Sequence, residues 1–96
     1  MTKAEVKSVL KKIKSLRTMT RSLRAKEYQK LAKRLLGVPL VRLDSNGYHY
    51  KYPVNTIAFE EQKYMILQIH EFKIPCRMGV FFDRIKNGKY IICTED

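Results

Sequence analysis

Residues 2–37 read TKAEVKSVLKKIKSLRTMTRSLRAKEYQKLAKRLLG. This stretch holds twelve of the chain's twenty Lys and Arg residues and only two acids, Glu5 and Glu27. Its net charge is therefore +10, whereas the other sixty residues carry eight bases and seven acids, net +1. The basic character is a local device. Thr2 and Glu5 form a T-x-x-E capping box, in which hydroxyl and carboxylate satisfy each other's backbone amides. Val6, Val9, Leu10, Ile13, Leu16 and Leu23 recur at helical spacing, at about 100° per residue. Lys3, Lys7, Lys11, Lys14 and Arg21 fall on the opposite side. Over residues 18–22 the apolar register slips. A second stripe of Tyr28, Leu31, Ala32, Leu35 and Leu36 follows, backed by Lys26, Lys30, Lys33 and Arg34. The pattern predicts two helices, 3–18 and 21–36, joined by a kink or short turn, with one bent helix as the rival. Gly37 suits the left-handed position after a helix, and Pro39 stops any continuation.

Beyond Gly37 the period changes to two. Residues 40–43 and 48–52 flank Asp44, Ser45, Asn46 and Gly47. Asn-Gly tolerates the positive φ angles of tight hairpins, so a hairpin is predicted. Tyr48, Tyr50 and Tyr52 share one face of its second strand; His49 and Lys51 share the other, and Pro53 ends it. A third helix is predicted next, capped by Asn55 or Thr56, with Glu60 and Glu61 near its positive end. Ala58, Met65, Ile69 and Phe72 mark its apolar side, and Pro75 closes it. A strand over 64–72 is the rival. Residues 80–85 and 89–94 flank Lys86-Asn87-Gly88 and predict a second hairpin, with Phe81 and Phe82 on a strand covered on both faces or with one of the two left as a contact. The expected fold is α+β: two basic helices, hairpin, third helix and second hairpin, forming an antiparallel sheet packed by helices. Residues 1–96 make one domain, with a basic helical part (3–36) and a hairpin-helix-hairpin part (38–96).

The chain is 45% hydrophobic and 30% charged, as a folded globule is and a disordered tail is not. No apolar run approaches the ~18 residues that cross a bilayer. The N-terminus has charge but no apolar core of a secretory signal. A cytoplasmic location, with Cys76 and Cys93 as free thiols, is the expectation.

Ten uncompensated charges repel one another, and a helix shaped only for solubility mixes signs. A polyanion partner is therefore expected. Duplex DNA carries one charge per ~1.7 Å of axis, so a cationic helix gains affinity by releasing counterions. The expected function is non-enzymatic nucleic-acid binding, to DNA or RNA, through Lys7, Lys11, Lys14, Arg17, Arg21, Arg24, Lys30, Lys33 and Arg34. Lys51 on the tyrosine strand, and Lys86 and Lys89 at a wing-like hairpin tip, complete the candidate set. The alternative is an inhibitor or adaptor, of the kind phages and mobile elements carry, docked on an acidic surface of a host nucleic-acid-processing protein. A third reading is a small metal-free ribonuclease with His49 as base and with Lys51 and a tyrosine as electrophile or acid. No cofactor is implied. Cys76, Cys93, His49 and His70 lack metal-ligand spacing, and no catalytic motif is present. A membrane surface fits poorly, because the basic stretch lacks Trp and Phe and its single aromatic is Tyr28. The apolar stripe is too short to argue for a coiled coil, but it leaves a homodimer open.

Overall fold

In the computed structural model, residues 1–43, 54–60 and 63–95 are described. The predicted Asn46-Gly47 turn and the strand holding Tyr48, His49, Tyr50, Lys51 and Tyr52 lie outside the described residues. The elements are α1 (Lys3–Ser15), a 3-10 turn (Leu16–Thr18), α2 (Arg21–Leu35), β1 (Pro39–Arg42), β2 (Val54–Glu60), β3 (Tyr64–Ile69), β4 (Phe72–Arg77), α3 (Met78–Lys86) and β5 (Tyr90–Ile92). The α+β class is as expected, with three helices and one antiparallel sheet of order β4-β3-β2-β1-β5.

The N-terminal helices follow the sequence closely. The Thr2–Glu5 capping box is formed, with the Thr2 hydroxyl accepting from the Glu5 amide at 3.2 Å. The slip in apolar register is a true break. The 3-10 turn ends α1, and Thr20 caps α2 by accepting from the Leu23 amide. Gly37 adopts φ 79, which an L side chain disfavours. The end of α2 is tied to the sheet. The Thr56 hydroxyl donates to the Leu35 carbonyl, and the Gly37 amide donates to the Thr56 carbonyl at 2.6 Å.

Two expectations are corrected. The predicted third helix is the β2–β3 pair, and Pro75 lies within β4 rather than ending a helix. Val54, Thr56, Ile57, Phe59, Tyr64, Ile66 and Ile69 are β-branched or aromatic, and such side chains suit a pleated surface. What disguised the alternation is a bulge between Thr56 and Ala58. It brings Thr56 and Phe59 to the same face, a step of three that imitates a helix. In β3 the alternation is regular: Met65 and Leu67 are buried, while Ile66 and Gln68 are half-buried on the other face. Glu60 therefore sits on a strand and caps nothing. Pro75 is tolerated because β4 is an edge strand. His70 and Glu71 form the two-residue β3–β4 turn, with His70 at φ 56. Histidine is one of the residues enriched at such angles.

The second correction concerns residues 80–85, which lie in α3 rather than in a strand. Met78, Phe81, Phe82 and Ile85 are buried at spacing i, i+3, i+4, i+7, the stripe of an amphipathic helix. Asn87-Gly88 is the end of that helix, not a hairpin tip. The Gly88 amide donates to the Ile85 carbonyl, and the Lys89 amide to the Arg84 carbonyl, which is a Schellman closure with Gly88 at φ 77. The strand that follows, β5, pairs with β1 instead of with its predecessor.

The three helices cover one face of the sheet. Val9, Ile13 and Leu16 of α1, Leu31, Ala32 and Leu35 of α2, and the α3 stripe join Leu40, Val54, Met65, Leu67 and Ile92 in one core. Phe81 and Phe82 are both fully buried because α3 is covered on two sides. Phe82 stacks on Tyr28 of α2 (centroids 5.3 Å, planes 8° apart), and Phe81 packs against Tyr90 of β5 (5.9 Å).

Two glycine substitutions on either end of α3 should move stability in opposite directions, as read by urea unfolding. A Cβ at Gly79 meets only the Tyr28 hydroxyl at 3.8 Å, so Gly79→Ala stabilises by about 0.5–1 kcal/mol through helix propensity. Gly88→Ala destabilises by about 1 kcal/mol, since its φ of 77 is strained for alanine although the space is open.

Candidate nucleic-acid interface

The amphipathic pattern that buries Val9, Ile13 and Leu16 leaves the lysines of α1 outward. Lys7, Lys11 and Lys14 are exposed, as are Arg17, Arg21, Lys26, Lys30, Lys33 and Arg34. α2 runs back beside α1, so that Lys12 and Ser8 of α1 face Glu27, Lys30, Leu31 and Arg34 of α2 around a depression of 330 Å³. Glu27 is the organising acid here. It is 9% exposed, and its two carboxylate oxygens lie 3.4 Å from Lys12 Nζ and 3.6 Å from Lys30 Nζ. One acid thus draws two cations to the lip of the depression while Arg34 lines it beside them. Lys7 and Lys11 on α1, and Lys26 and Lys33 on α2, carry the charge outward on either side.

The remaining candidates divide. Arg17, Arg24 and Lys86 line a separate cavity of 160 Å³ with Tyr28, Phe82 and Asp83. Arg24 is half-buried and works as an internal cap: its Nε donates to the Leu16 carbonyl at 3.1 Å and its Nη2 to the Met19 carbonyl at 3.2 Å. These are carbonyls at the end of α1 and just past the turn, and the Leu16 carbonyl also accepts from the Met19 amide at 3.1 Å. Lys14 and Lys86 flank a third depression, with Val6, Leu10 and Ile91. Lys86 and Lys89 sit on the last turn and closure of α3, not on a hairpin wing. Lys51, like His49 of the ribonuclease reading, is outside the described residues.

Among the described residues, the acids of the second half form no ion pair with the side chains of this surface. Among the described residues, the ion pairs of the helices are those of Glu27 with Lys12 and Lys30; the N-terminal amine pairs with Glu95 at 3.2 Å. Lys7, Lys11, Lys14, Arg17, Arg21, Lys26, Lys33 and Arg34 make no ion pair with a described residue. Lys12 is not among the residues expected from the sequence, and it falls beside the apolar stripe of α1. Its i, i+15 relation to Glu27 becomes visible only when the two helices fold back.

Cys76 and Cys93 are free thiols. Among the described residues no three His, Cys, Asp or Glu side chains gather to hold a metal, and no helix is long and apolar enough to cross a membrane. No protein-family model matches the chain, and no curated protein or solved structure matches it significantly.

The two roles of arginine separate on substitution. Arg24→Ala should lower stability by about 1 kcal/mol, because the Leu16 and Met19 carbonyls lose the guanidinium and the Leu16 carbonyl keeps only the Met19 amide. Lys11→Ala, on an exposed face with no described ion pair, should stay within about 0.5 kcal/mol. Thermal unfolding of both variants checks this.

Proposed function

We propose that this protein is a non-enzymatic nucleic-acid binder that grips the phosphate backbone with the α1–α2 surface. The observation that carries the reading is the convergence of Lys12, Lys30 and Arg34 on one depression, flanked by exposed cations without described acid partners. Phosphate is the ligand such a surface suits. Arg34 offers a planar fork for two phosphate oxygens, and the lysines supply point charges at adjustable reach. Glu27 holds Lys12 and Lys30 in place before binding, which reduces the side-chain entropy lost on contact. Contacts to backbone alone give affinity without sequence readout. Arg17 and Arg21 extend the contact at the turn end of the helices. Arg24 acts by fixing that turn.

Binding of a fluorescent duplex to the full chain should weaken steeply with salt. The slope of log K against log[salt] is about −0.9 for each phosphate neutralised on B-DNA. The triple variant Lys7→Gln, Lys11→Gln, Arg34→Gln should flatten it by up to three such increments without unfolding the protein. A slope near zero in the wild-type protein removes the proposal. A protein retained from lysate by an acidic partner, with capture indifferent to nuclease, favours docking on a protein instead.

Glu27→Gln makes a sharper forecast. Stability falls by about 1 kcal/mol at low salt and less at high salt, since two close lysines lose their shared acid. Nucleic-acid affinity rises over the same change, because removing a negative charge beside the phosphates outweighs the lost positioning of Lys12 and Lys30. A purely structural role for the depression predicts the first effect without the second.

A further inference from the structure

α3 leaves part of its own sheet face uncovered. It begins at Met78, directly after β4 ends, and between it and strands β3 and β4 lies a cavity of 340 Å³. Leu67, Ile69 and Cys76 form the floor, and Ile74 and Val80 the walls. Leu67 is 1% exposed, but Ile74 and Val80 are each 42% exposed, and Phe72, two residues along the same face of β4, is 62% exposed. A solvated apolar mouth of this kind is costly unless something fills it.

The charged groups among the cavity's described lining residues are of one sign. Arg42, Arg77 and Arg84 line it, and no carboxylate is present among its described lining residues. Arg84 is held in place: its Nη1 donates to the Tyr90 hydroxyl at 3.1 Å, and its guanidinium carbon lies 5.8 Å from the Tyr90 ring centre. One of five N–H donors is spent there, which leaves a fixed fork able to take two oxygens of one anion. Cys76 is lining rather than nucleophile. Burial pushes its thiol up, and the nearby Arg84 charge only partly opposes this, so the neutral form prevails at pH 7.

We propose that this cavity binds a small organic anion with an apolar body: a carboxylate or phosphate monoester on an aliphatic chain or ring. The volume falls in the range of small-molecule sites, roughly 300–1,000 Å³. A bare inorganic anion would leave Leu67, Ile69 and Val80 wet. A neutral hydrocarbon would leave the Arg77 and Arg84 guanidinium groups, which have no ion pair with a described residue, without a counter-charge. An amphipathic anion satisfies both, with its head on Arg84 and Arg77 and its body over the floor. None of these residues belongs to the α1–α2 surface, so the site stands whether or not that surface binds nucleic acid.

The test titrates the full chain with octanoate and with 1-naphthoate, following backbone amides by ¹H–¹⁵N NMR. 1-Octanol and inorganic phosphate serve as the single-feature controls. Saturable shifts at Cys76, Val80 and Arg84 are expected with a carboxylate probe, and at least tenfold weaker binding of both controls. Arg84→Gln should weaken carboxylate binding about tenfold, the scale of a charge-assisted fork. Val80→Glu, at an exposed position that keeps the core intact, should weaken it at least as much. The double variant Lys7→Gln, Lys11→Gln should leave it unchanged. The proposal is overturned if neither carboxylate saturates these amides at millimolar concentration, if octanol binds as tightly as octanoate, or if the Lys7 and Lys11 variant loses as much affinity as Arg84→Gln.

Discussion

The paired phenylalanines of α3 set the terms for everything else. Phe81 and Phe82 point about 100° apart on one helix, so they cannot both be buried by a single neighbour. One needs the sheet and the other needs a helix. Phe81 takes Tyr90 of β5, and Phe82 takes the flat stack on Tyr28 of α2. This wedge joins the basic N-terminal helices to the strands, and it forces α3 to cross from β4 on one edge of the sheet to β5 on the other. It also keeps Gly79 on the α2 side, where Tyr28 comes close.

Charge is arranged around that constraint. Once α1 and α2 have given their apolar stripes to the core, their lysines and arginines have only the outer surface left. Repulsion among them opposes bringing the helices together. Glu27 offsets it by sitting between Lys12 and Lys30 at the line where the helices meet. Arg24 contributes differently, closing the turn from within through two carbonyls. The same residue type thus serves structure in one place and, by the proposed reading, an external anion in another. Burial and hydrogen-bond partners tell the two apart; sequence position does not.

A second kind of cation lies on the sheet side. Arg42, Arg77 and Arg84 come from β1, the end of β4 and α3, up to 42 positions apart in the chain. No run or spacing joins them. They meet because β1 and β5 pair, and because α3 returns over β3 and β4. Arg84 was visible in the sequence only as a neighbour of the supposed hairpin tip.

Elements whose signals are local were legible in the chain before folding. The Thr2–Glu5 box, the register slip at 18–22, Gly37 and the one-sided lysines lie within a few residues of what they control, and the structure places both helices there. The α+β class also followed. The backbone of residues 54–92 was set by long-range packing. A bulge after Thr56 turned a period of two into a step of three, and Asn87-Gly88 suits a helix end as well as it suits a hairpin. In both places local chemistry permits two backbones. What selects between them is burial: the strands gain neighbours across the sheet, and α3 gains cover on both sides. Those contacts are long-range, and no window of sequence contains them.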